Sequence, residues 1–181
     1  MTQAQTNDEA FQSFAFDLFG RMELQQEMRN CPIENTVLSP MSAWLALGML
    51  QQGADGATLA GIQLARHLTD ENADTKEYDQ SLIKTLNEPE YWYSWTENEG
   101  ESLAHAQTIN AYWNDDEITV YPSFAEALQS YYDAEAGTLD LQKQESMDLI
   151  DQWVNEQTFG TIPSLKIEPN EYMRMLLVNC I

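Results

Sequence analysis

The 181-residue chain is short of positive charge: 8 Lys and Arg stand against 30 Asp and Glu, a formal net charge of −22. So few cations cannot neutralise a run of phosphates, which argues against nucleic acid or an anionic membrane surface as a partner. Cysteine is nearly absent too. Cys31 and Cys180 lie far apart, build no disulfide framework and no Cys-x-x-Cys pair, and read as two reduced structural thiols. No stretch approaches the ~18 uninterrupted apolar residues of a membrane span. The first ten residues carry neither a basic region nor an apolar core, so no secretion leader is legible in them.

Signatures of chemistry are missing in the same way. Gly53-Ala-Asp-Gly56 lacks the Gly-Lys-Ser/Thr ending of a phosphate loop and follows a helix, so it reads as a helix–helix turn. Asp70-Glu71-Asn72-Ala73-Asp74 begins like a calcium loop, but Thr75 replaces the glycine at position six and Ser81 the glutamate at position twelve. The two histidines, His67 and His105, belong to no metal-binding pair and read as structural or surface groups. His67 falls in the last turn of a helix, where an imidazole meets the negative dipole end. No Gly-x-Ser-x-Gly elbow is present. The acidic groups Asp115-Asp116-Glu117 and Asp133/Glu135 offer glycosidase-like carboxylates, but 30 acids make such clusters cheap. No catalytic residue, cofactor-binding residue or metal ligand is nominated, and no cofactor is implied.

What is present is a packed core: 43% of residues are hydrophobic and 10% aromatic, too many for a solvating acidic tail. Phe11, Phe14, Ala15, Leu18, Phe19 and Met22 recur at helical spacing, with Asp17, Arg21 and Gln25 outward. Asn35-Thr36-Val37-Leu38 reads as a short strand. Ser39-Pro40 then opens a helix through Leu50 that is apolar almost all round and is expected to run through the interior. Thr58 is expected to cap a third helix, and a fourth follows at 74–87. The segment 88–101 is an acidic loop around Tyr91, Trp92, Tyr93 and Trp95, either an exposed stacking surface for a sugar or partner, or a lid over the core. Residues 103–113 are β-like, with Ile109, Ala111 and Trp113 on one face. Pro122 starts a helix, 136–141 form a strand, and Ser146 is expected to cap the last helix. Met175 to Ile181 is a nearly continuous apolar run, the pattern of a strand buried on both faces. A chain ending inside such a strand reads as truncated.

The order of short motifs resembles one family. Phe14-Ala-Phe-Asp-Leu-Phe19, Asn35-Thr-Val-Leu-Ser-Pro-Met-Ser42 and Gly53-Ala-Asp-Gly-Ala-Thr58 come first. Ile109-Asn-Ala-Tyr-Trp113, Pro122-Ser-Phe124 and Tyr131-Tyr-Asp-Ala-Glu135 follow, then Ile150-Asp-Gln-Trp-Val154, Thr158-Phe-Gly-Thr-Ile162 and Leu177-Val-Asn-Cys-Ile181. In this order, from Phe11 to the last residue, they resemble the N-terminal half of a bacterial-type serpin. Asp151 departs from the asparagine usual there, Gly61 from a capping Glu or Gln, and Cys180 from the common alanine.

The resemblance implies an α+β fold in which about six helices pack on three strands of a central sheet, plus one strand of a second sheet. All of 1–181 would be the N-terminal portion of a single serpin domain, with 1–8 as a flexible tail. Ser39, Ser42 and Asn179 match the family's shutter, the polar cluster where the central sheet opens. The resemblance further implies a serine- or cysteine-protease inhibitor whose reactive loop lies beyond this chain, which alone would not inhibit. A target protease is then a partner only once the C-terminal half is supplied. A non-inhibitory remnant that binds or folds with a partner, or self-associates through the terminal strand edge, is the alternative. The fourth helix carries only Lys76 and Lys84 among acids, so a heparin-type polyanion is not expected. The family is mostly extracellular, although no leader is legible here.

Overall fold

The computed structural model describes residues 6–28, 37–87 and 106–181. Cys31, Asn35, Thr36, His105 and the aromatic loop 88–101 lie outside the described residues. Six helices and three strands follow the order α1 (Asn7–Met28), α2 (Pro40–Gln51), α3 (Gly56–Ala65), α4 (Lys76–Asn87), β1 (Ile109–Asp115), α5 (Pro122–Tyr132), β2 (Glu135–Leu139), α6 (Gln144–Gln157) and β3 (Met175–Cys180). They fall into two compact units, Met1–Thr108 with Ile181, and Ile109–Cys180.

In the first unit, α1 opens with a reciprocal cap. Thr6 N–H donates to Glu9 Oε2 at 2.9 Å, and Glu9 N–H donates to Thr6 Oγ1 at 3.2 Å. Asn7 and Asp8, assigned to a tail on sequence, are therefore already helical. The helix has no single apolar stripe: Ala10 and Phe14 are buried, whereas Phe16 and Phe19 are exposed. α2 begins as expected. Ser39 is its N-cap, Pro40 sits in the first turn, and Ser39 Oγ accepts from Ser42 N–H at 3.3 Å. The apolar α2 is only partly interior, because Trp44, Leu45, Gly48, Met49 and Gln51 are buried while Leu50 is exposed. Trp44 is the hub of this unit. Phe11, Phe14 and Tyr78 meet its ring edge-on, with centroids 5.4, 5.6 and 6.2 Å away.

Two expected caps are misplaced by the same amount. The N-cap of α3 is Asp55, not Thr58, and its carboxylate accepts from Gly56 N–H at 2.7 Å. The N-cap of α6 is Lys143, not Ser146, which lies buried inside the helix. In both, the hydroxyl residue is the third residue of the helix rather than its cap. The expected strand at 35–38 is not formed at Val37 and Leu38.

The second unit is a three-stranded sheet in the order β2-β1-β3. β1 runs parallel to β2, with Ala111 opposite Glu135 and Trp113 opposite Gly137, and α5 supplies the crossover a parallel pair needs. β1 runs antiparallel to β3, with Asn110 opposite Asn179 and Ala111 opposite Val178. All seven β1 residues are buried, as a central strand covered on both faces must be. One face sends Ala111 and Trp113 into a core with Val178, Leu141, Met147, Ile150 and Val154, which α6 largely supplies. On the other, Tyr112 meets Phe124 of α5 edge-on at 5.5 Å. β3 is less buried than its apolar run predicts: Val178 is buried and the rest are half-buried, because among the described residues β3 is an edge of this sheet.

Candidate functional site

Two buried polar clusters stand out, one in each unit. In the second unit Asn110, 3% exposed on the central strand, donates through Nδ2 to the Tyr132 carbonyl at 2.7 Å. Asn179 of β3 donates through its own Nδ2 to Asn110 Oδ1 at 2.6 Å. A β3 side chain is thereby tied across β1 to the end of α5. The chain of bonds satisfies a central-strand amide that no apolar neighbour would. Of the three shutter-like residues read from sequence, Asn179 lies in this ladder. Ser39 and Ser42 belong to the other unit, where they meet at the start of α2, with Ser39 exposed. On sequence Asn110 is only a member of a family motif. Its central place becomes visible once β3 is known to lie on one side of β1 and α5 to cover it.

The first unit holds a larger cluster that sequence reasoning misses. Arg66, Asp79 and Thr75 are wholly buried. Arg66 Nη2 donates to both oxygens of Asp79 at 2.9 and 3.0 Å, and Nη1 donates to Gln51 Oε1 at 3.0 Å and Thr75 Oγ1 at 2.8 Å. Its guanidinium carbon lies 4.0 Å from the Trp44 ring centroid, and Trp44 Nε1 donates to Asp79 Oδ1 at 2.7 Å. Beside α1, α2 and α3 runs an apolar cleft of about 830 Å³, floored by Phe14, Leu18, Ala46 and Leu47. At its mouth Asp17 meets Arg21 Nε at 2.8 Å and His67 Nε2 at 3.5 Å. His67 stands just past α3 in the left-handed conformation, φ 54, rather than inside the last turn.

Two of the acids in the glycosidase-like clusters, Asp115 and Glu135, are engaged in hydrogen bonds. Asp115 is fully buried and accepts from the backbone N–H of Glu117 at 3.1 Å and of Leu141 at 3.2 Å, organising a turn. Glu135 accepts from Trp153 Nε1 at 2.8 Å on the surface. Tyr78 donates to Asp8 at 2.9 Å, and burial together with that carboxylate pushes the phenol well above its usual value. The Cys180 thiol is raised by burial alone. Asp151 accepts from Ser164 Oγ at 2.6 Å and Leu165 N–H at 2.8 Å, anchoring the long segment before β3. Among the described residues no group of three or more His, Cys, Asp or Glu is placed to hold a metal ion.

Six helices and a mixed sheet whose strand order, among the described residues, ends on β3 define an α+β fold. The chain belongs to the serpin family: the family model described as Serpin (serine protease inhibitor) matches residues 9–181. A mouse (Mus musculus) serine protease inhibitor is 31% identical over 172 residues, 93% of this chain and 37% of its own length. The leukocyte elastase inhibitor of Xenopus tropicalis is 27% identical over 172 residues, 93% of this chain and 41% of its length. The chain thus spans well under half of the curated relatives it matches. Among solved structures, cleaved kallistatin complexed with heparin superposes with a TM-score of 0.76 at 22% identity, covering 94% of this chain and 46% of that one. Human thyroxine-binding globulin gives 0.72 at 24% identity, covering 94% and 42%. These two likenesses concern the fold.

Proposed function

We propose that the protein to which these residues belong inhibits serine- or cysteine-type endopeptidases by inserting a cleaved reactive loop as an added strand, and that residues 1–181 form no inhibitory complex alone. The observation that carries this reading is the edge of β3. Among the described residues β3 pairs only with β1, so its far side presents backbone N–H and C=O groups to one further strand. Loop insertion in serpins is itself a known case of such strand addition. The relatives named as serine protease inhibitors support the target class. Residues 1–181 are then the N-terminal portion of one serpin domain. By family resemblance, the shutter role falls to Ser39, Ser42 and Asn179.

The test is complementation. The chain is mixed with the C-terminal segment of a relative and with chymotrypsin-like and elastase-like proteases, then run on denaturing electrophoresis. A complex that survives denaturation is expected only in the complemented mixture, and its absence across the whole panel sinks the reading. Retention on heparin above ordinary ion-exchange background is not expected, since α4 offers Lys76 and Lys84 beside Glu77. The same open edge favours one second reading, a remnant that self-associates through β3. Light scattering on the isolated chain decides that point, because a stable monomer excludes it.

A further inference from the structure

α3 buries none of its own residues, and α4 buries only Asp79 and Ile83. The partly covered Leu59 and Ile62 of α3 and Tyr78, Leu82 and Leu86 of α4 add apolar contact, Tyr78 against the Trp44 ring of α2. The groups buried around Arg66 are polar, Gln51, Thr75 and Asp79.

The local backbone aims Arg66 inward. Arg66 caps α3, its N–H donating to Ile62 O at 2.9 Å. His67 then takes φ 54 and Leu68 N–H donates to Gln63 O at 2.9 Å, which closes the helix by the left-handed reversal that usually employs glycine. The guanidinium reaches three segments at once: Gln51 and Trp44 on α2, Thr75 ahead of α4, and Asp79 within α4. Thr75 Oγ1 also donates to Asp79 Oδ2 at 2.9 Å, and Gln51 Nε2 donates to the Ala73 carbonyl at 2.7 Å. Among the described residues Arg66 Nε finds no acceptor, so one donor of the guanidinium is left over. A buried pair with an orphan donor gains little net stability over apolar packing, yet removing one partner is costly.

We propose that Arg66 and Asp79 form a latch: the seating of residues 56–87 on α2 is conditional on the charges of these two side chains. Withdrawing either charge releases α3 and α4 together, while replacing both by apolar groups seats them again. This is a conformational device within one unit and does not depend on the inhibitor reading.

Hydrogen exchange read by mass spectrometry on the full chain tests it. In Asp79→Asn, which keeps the side-chain shape, and in Arg66→Met, exchange over 56–65 and 76–87 should rise roughly tenfold or more. Peptides from 109–180 should exchange as in the parent. The double variant Arg66→Met/Asp79→Leu should bring 56–87 back to parental rates. Unchanged exchange in the single variants overturns the latch. So does a rise spread equally over 109–180, which would mean global unfolding, and so does a double variant as fast as the singles, which would make shape rather than charge the cause.

Discussion

Gly137 on β2 stands directly opposite Trp113 on β1. A Cβ at position 137 would sit 2.6 Å from Trp113 Cδ1 and 2.9 Å from its Nε1, well inside contact distance. The indole has nowhere to retreat freely. Trp113 is 9% exposed, lies in the α6 core, and meets Trp153 edge-on at 5.1 Å. Trp153 in turn holds Glu135 through its Nε1. Gly137→Ala therefore forces a displacement through three residues, and overpacking of this kind costs about 1–3 kcal/mol. Against it stands about 0.4–1 kcal/mol gained by restricting the unfolded chain. A net loss of about 1–2 kcal/mol should remain. With a urea slope of about 2 kcal/mol per molar, the unfolding midpoint should fall by roughly 0.5–1 M at unchanged slope. Tryptophan fluorescence against urea is the assay. The Trp113→Leu background supplies the control, because the alanine penalty should vanish when the indole is absent. A midpoint for Gly137→Ala at or above the parent, or a penalty that persists undiminished in the Trp113→Leu background, refutes the reasoning.

Two further outcomes follow from the polar contacts. Asn179→Ala removes the 2.6 Å bond to Asn110 Oδ1 and leaves that buried acceptor short of a donor, at a cost of about 1–3 kcal/mol in denaturant unfolding; Asn179→Asp, which cannot donate when ionised, should be no better. On the surface, the hydrogen bond from Arg21 and the neighbouring His67 hold the Asp17 carboxyl below its usual value of 3.8. A depressed folded-state value stabilises above the unfolded value, and the benefit is lost as pH falls through the folded one. Asp17→Asn should therefore be slightly less stable than the parent near neutral pH, and the gap should close below pH 3.8 and shrink in high salt; thermal melts across that range measure it.

Periodicity locates α4, α5 and α6, whose apolar residues gather on one face. The helix starts at Pro40 and Pro122 are legible from local chemistry alone, whereas the β-like stretch 103–113 misplaces β1, which runs Ile109–Asp115. The starts of α3 and α6 are not legible in this way. Thr58 and Ser146 have the right side chain for a cap but lie within the first turn, and Lys143 makes no side-chain cap at all. Of the shutter-like trio, the Ser39–Ser42 contact is local and can be read from Ser39-Pro40. The Asn110–Asn179 bond joins residues 69 apart and depends on strand order. The Arg66 cluster has no periodic signature, since a single buried arginine is recognisable only when Gln51 of α2, Thr75 just ahead of α4 and Asp79 of α4 are brought around it. The half-buried state of β3 is likewise a matter of sheet order, which an apolar run cannot reveal.

Strand addition at β3 is the central claim, and the most direct measurement is amide exchange of residues 175–180 during complex formation with the complemented chain. The β3 amides that do not pair with β1 should become protected as the protease is trapped. A denaturation-resistant complex that forms with those amides still exchanging at the free-edge rate would contradict it.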